Sequence, residues 1–101
     1  MEKNNHTIAI LGFNNHKLTI MNLKNLIKDG YRKNILLFDN GSKPSYKKIC
    51  KKLNVKFLRS KENIYVNPAW NKIFEIIETK YLTLLNNDCF ILSKNYFNDV
   101  L

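Results

Sequence analysis

Four short β-branched or apolar runs alternate with three amphipathic stretches of helical spacing, and that order restricts the fold more than anything else in this chain. The runs are Thr7 to Phe13, Asn34 to Phe38, Val55 to Leu58 and Tyr81 to Leu85. None shows strict alternation, which is how strands covered on both faces read. Between them, Lys17 to Asp29 carries Leu18, Met21, Leu23, Leu26 and Ile27 as a helical stripe, with Gly30 suited to the left-handed position after the last turn. Ser45 to Leu53 sets Tyr46, Ile49, Cys50 and Leu53 against Lys47, Lys48, Lys51 and Lys52. A third helix is predicted from Asn67 as N-cap and Pro68 as first helical residue. Its stripe is Ala69, Ile73, Ile76 and Ile77, widened by Trp70 and Phe74. Strands alternating with helices predict an α/β domain: a mostly parallel four-stranded sheet with right-handed crossovers and helices on both faces.

A parallel sheet puts every strand's carboxyl end on one edge, where open α/β sheets bind ligands. Three polar tips meet there: Asn14-Asn15-His16, Asp39-Asn40-Gly41-Ser42 and Asn86-Asn87-Asp88. At the second, Asp39 can accept hydrogen bonds from a base or ribose, Gly41 permits the backbone to bend and Ser42 offers a second polar contact. The same four residue types also make an ordinary turn. At the third, Asp88 is an oxygen ligand of the kind magnesium or manganese takes alongside diphosphate oxygens and water, and Asn86 can add a carbonyl. Each is equally a loop residue when taken alone.

Other chemistry is poorly served. His6 and His16 lack metal spacing, Cys50 and Cys89 lie far apart, and there is no dinucleotide or P-loop glycine motif. A net charge of +9 suits a polyanion, but lysine supplies nearly all of it, with only Arg32 and Arg59 for bidentate phosphate or guanine contacts. The four lysines of the second helix read as a solvated face. No run reaches the length of a membrane span and the start lacks a secretory core, so the expected location is the cytoplasm, with the inner membrane surface as a variant. One domain covering 1–101 is the expected organisation.

Taken in order, Ile8-Ala9-Ile10-Leu11-Gly12-Phe13-Asn14, Ile35-Leu36-Leu37-Phe38-Asp39-Asn40-Gly41-Ser42, Glu62-Asn63 with Trp70-Asn71, and Tyr81-Leu82-Thr83-Leu84-Leu85-Asn86-Asn87-Asp88 resemble the family 2 glycosyltransferases. The likeness runs from about Thr7 to Ile91. It implies a GT-A fold with a Rossmann-like sheet that binds a nucleotide-diphosphate sugar. By this resemblance Asn14, Asp39, Asn40, Ser42, Asn63 and Asn71 form the donor site, with Asp39 on the base. Asp88 with Asn86 would hold a divalent cation, Mn or Mg, on the diphosphate. Asn86-Asn87-Asp88 stands where the family carries Asp-x-Asp, its first acid replaced by asparagine. Tyr65 to Ala69 lacks the glycines usual before the matching Asn71.

The family's acceptor site and catalytic base lie further along than this chain extends. Asp99 is the only acid after Asp88, so the expectation is the donor-binding half of an inverting enzyme whose glycan, lipid or protein acceptor is unspecified. A basic nucleic-acid-binding module and an inactive interaction protein are the competing expectations.

Overall fold

The computed structural model describes residues 5–86. Its strands are β1 (His6–Gly12), β2 (Ile35–Asn40), β3 (Lys56–Ser60) and β4 (Tyr81–Asn86), and its helices α1 (His16–Lys28), α2 (Lys47–Leu53) and α3 (Val66–Ile76). The sheet order is β3-β2-β1-β4 with every pairing parallel. The chain therefore steps outward from β1 to β3, then returns across the sheet to place β4 on the far side of β1. Connections of one hand require helices on opposite faces for those two directions. The two cores show that arrangement. Ile8, Ile10, Ile35 and Leu37 pack with Leu23, Leu26, Tyr46 and Cys50 from the α1/α2 side. Ala9, Leu11, Leu36 and Phe38 pack with Ala69 and Ile73 of α3. The expected α/β architecture, helices on both faces included, is the one observed.

Helix ends follow local chemistry. Gly30 is left-handed (φ 91°), its N–H donates to Ile27 O and that of Tyr31 to Leu26 O, closing α1 in a Schellman turn. Tyr31 and Leu26 are both buried in the same core. Asn54, at φ 58°, ends α2 in the same way, with Val55 N–H donating to Cys50 O.

Three details differ from expectation. Helix α1 buries Thr19 and Asn22 with Leu23 and Leu26, while Met21 is exposed, so the stripe is turned about one residue from the apolar pattern. Helix α3 starts at Val66, making Pro68 its third residue, and Asn67 is not its cap. Proline is accommodated because first-turn N–H groups have no partner within a helix. On α3, Phe74 and Ile76 stand exposed, since Ala69 and Ile73, with half-buried Trp70 and Ile77, already cover the sheet. Among the described residues no helix is long and apolar enough to cross a membrane. The tail beyond Asn86, with Asp88, Cys89 and Asp99, lies outside the described residues.

Candidate functional site

Adjacent side chains of a strand point to opposite faces. At the end of β2 this splits two neighbouring polar residues between two loops. Asp39 shares the α1/α2 face with Ile35 and Leu37, whereas Asn40 shares the α3 face with Leu36 and Phe38. Each organises the loop on its own side.

The Asp39 carboxylate has no exposed surface. Its Oδ1 accepts the Ser42 N–H at 2.8 Å, and its Oδ2 accepts the Tyr46 N–H at 2.9 Å and the Arg59 guanidinium at 2.9 Å. Arg59 comes from the partner position on β3, where the parallel register sets Asp39 beside it. A buried carboxylate is tolerated only when charge and lone pairs are met, and three donors meet them. Burial, and after it the nearby Asp39 charge, pushes the Cys50 thiol up to about 11, so Cys50 is a packing residue and not a nucleophile at neutral pH.

On the other face, Asn40 holds the β3–α3 loop. Its amide nitrogen donates to Asn63 Oδ1 at 3.0 Å and to Tyr65 O at 3.2 Å, and its oxygen accepts the Ile64 N–H at 2.9 Å. Asn63 Oδ1 also accepts the Tyr65 N–H at 2.8 Å. This fixes Tyr65 at φ 67°, ψ −179°, a region essentially reserved for glycine. Tyr65 is nevertheless 74% exposed, so its side chain has little packing to offset the strain. Relief of such strain is worth about 1–3 kcal/mol against about 0.5–1 kcal/mol for glycine's extra chain entropy. Tyr65→Gly is therefore expected to raise the melting temperature by a few degrees, and Tyr65→Ala, which keeps the strain, is not. Equal melting temperatures for the two variants would show that the backbone at this position is relaxed.

The β1 and β2 tips are clasped together. Ser42 Oγ accepts the Asn14 N–H at 2.9 Å, Asn14 Oδ1 accepts the Lys43 N–H at 3.1 Å, and the Tyr46 hydroxyl donates to Asn14 O. The His16 ring stacks on Tyr46 at 4.5 Å and bonds Pro44 O. Asn14 and Asn15 both adopt left-handed backbone, which asparagine tolerates better than most residues.

Between these loops a cleft of about 410 Å³ opens at the carboxyl edge, lined by Phe13, Asn14, Gly41, Lys43, Lys61, Glu62 and Asn63. The cleft lies over the tips of β1, β2 and β3, and on the other side of β1 Leu11 pairs with Asn86, which ends β4. Strand order reverses between β1 and β4, and such switch points are where open α/β sheets take ligands.

The profile of glycosyl transferase family 2 matches residues 7–98, nearly the whole chain. The chain belongs to that family. No curated protein and no solved structure matches it.

For this glycosyltransferase-family chain, the structure gathers Asn14 and Asn63 at the cleft and sets Asp39, Asn40 and Ser42 beneath it, all three buried. Direct contact from Asp39 to a base was the expectation. In the structure its oxygens are engaged by protein donors, and what it positions is the loop. Asn71 stands exposed midway along α3 and does not line the cleft. Phe13, Lys43 and Lys61 line it without having been singled out. The place of Phe13 at a strand tip, next to polar Asn14, is the one sequence signal that could have found it, while nothing local separated these two lysines from the others. Among the described residues no three His, Cys, Asp or Glu side chains gather as a metal site.

Proposed function

We propose that this chain binds a nucleotide-diphosphate sugar in the carboxyl-edge cleft, as the donor-recognition part of a glycosyl transfer to an acceptor. The single observation that carries the reading is the coincidence of family membership with a cleft at the carboxyl edge of the parallel sheet. Phe13 offers an exposed ring for a base, and the Asn63 amide nitrogen is a donor for it. Lys43 and Lys61 supply positive charge for phosphate. Asp39 and Asn40 act one step back, holding the two loops at their spacing. Asp88 with Asn86 would hold Mn or Mg, which supplies charge to offset the diphosphate. Nucleic-acid binding is the weaker reading, because Lys47, Lys48, Lys51 and Lys52 are spread over the exposed side of a two-turn helix and family membership accounts for the sheet.

Calorimetric titration with uridine and guanosine diphosphates, each with and without Mn, tests the proposal. Binding of at least one is expected, weakened roughly tenfold by Lys43→Gln with Lys61→Gln, as loss of charge-assisted hydrogen bonds predicts. Asp88→Ala is expected to remove the gain that Mn provides. A folded chain that binds neither nucleotide would overturn the reading.

A further inference from the structure

A second cavity, of about 360 Å³, opens at the opposite, amino-terminal edge of the sheet, away from the donor cleft. Its size falls within the range of small-molecule sites, roughly 300–1,000 Å³. Three features without a structural purpose of their own meet there. Lys33 and Lys56 stand on one side, both exposed. Among the described residues the only ion pair is Arg59 with Asp39, so neither lysine has a carboxylate partner within that set. Ile76, 46% exposed at the end of α3, contributes apolar wall together with Leu36 and Ile77. Glu78, also without an ionic partner among the described residues, lines the cavity with Thr79.

The polar groups already bonded to one another show that this end is built. The Thr7 and Thr79 hydroxyls meet at 2.6 Å, the His6 ring bonds Thr83 Oγ1 at 2.7 Å, and Asn34 donates to His6 O at 2.8 Å. These bonds tie the starts of β1 and β2 and the α3–β4 loop together. Burial lowers the His6 pKa from its ordinary value, so at neutral pH the cavity's positive charge is that of the lysines.

We infer that this cavity is a second ligand site, for a small molecule with an anionic head and a short apolar body. The head would lie against Lys33 and Lys56 and the body along Leu36, Ile76 and Ile77. Glu78 would set the orientation, since a negative head turned toward it meets a like charge. The inference stands on a different edge of the sheet from the donor cleft and does not depend on what that cleft binds.

The test is a nuclear magnetic resonance titration of the full chain with hexanoate, followed on backbone amides. Saturable shifts are expected at Thr7, Glu78 and Thr79 and not at Asn14, Gly41 or Asn63. Lys33→Gln with Lys56→Gln, both surface changes, is expected to weaken binding roughly tenfold, and Glu78→Gln to tighten it severalfold. Ile76→Ser should weaken hexanoate while leaving the weaker response to inorganic phosphate unchanged. Sedimentation with phosphatidylglycerol vesicles, lost in the double lysine variant, would mark the ligand as a lipid; no sedimentation alongside hexanoate binding would mark it as a free acid. Shifts that never saturate, or that are unaffected by the double lysine substitution in a chain with unchanged melting temperature, would overturn the inference.

Discussion

Replacing Asp39 with alanine is expected to destabilise the chain by about 2–6 kcal/mol, chiefly because two buried backbone N–H groups lose their acceptor. A small domain has roughly 5–15 kcal/mol in total, so the loss is a large fraction of the stability and the melting temperature should fall steeply. The larger share of the loss belongs to the backbone. Ser42 and Tyr46 N–H groups would be left buried without an acceptor, at about 1–3 kcal/mol each, whereas the Arg59 side chain, 29% exposed, can turn to water. Asp39→Asn separates charge from hydrogen bonding. Both carboxylate oxygens accept backbone N–H groups, so an amide must set its own NH2 against one of them, and most of the loss is expected to persist. A thermal melt by circular dichroism measures both variants. A fall of only a degree or two in each would mean that the β2–α2 loop is held by something else.

Alanine at Gly41 is the second large effect. The residue has φ 80°, where a Cβ is disfavoured by about 1–2 kcal/mol. An added Cβ would also lie 2.6 Å from Asn63 N and 2.7 Å from Glu62 C. Both are backbone atoms, so a rotamer change cannot relieve the clash. The β3–α3 loop is anchored by Asn40 and must move as a unit, adding about 1–3 kcal/mol of overpacking strain. Because Gly41 and Asn63 both line the cleft, Gly41→Ala is expected to lower the melting temperature by more than ten degrees and to abolish nucleotide binding together. A variant that melts normally and binds nucleotide normally would show that the loops are not in close contact in solution.

Nearly all of the architecture was legible in the sequence, and the reason is periodicity. Burial on both faces demands continuous apolar strands, and the run from Ile35 to Phe38, too short for a helix and closed by Asn40-Gly41, reads as one. Helix orientation was less legible. The buried face of α1 includes Thr19 and Asn22, so hydropathy alone turned the helix the wrong way. The Pro68 signal failed because the backbone of Tyr65 is constrained from a distance, through Asn40 and Asn63, and the helix starts where that constraint ends.

For the site, the sequence by itself determined the edge. A first strand ending at Asn14 and a second ending in Asp39-Asn40-Gly41-Ser42 place polar tips together once the strands are parallel, and parallel pairing follows from the alternation of strands and helices. Only the tertiary structure decided what those tips do. Strand parity sends Asp39 to one face and Asn40 to the other, register puts Arg59 beside Asp39, and the close approach of the 60–65 loop requires Gly41 to lack a side chain. These are contacts between residues about 20 positions apart in the chain, and local composition carries no record of them.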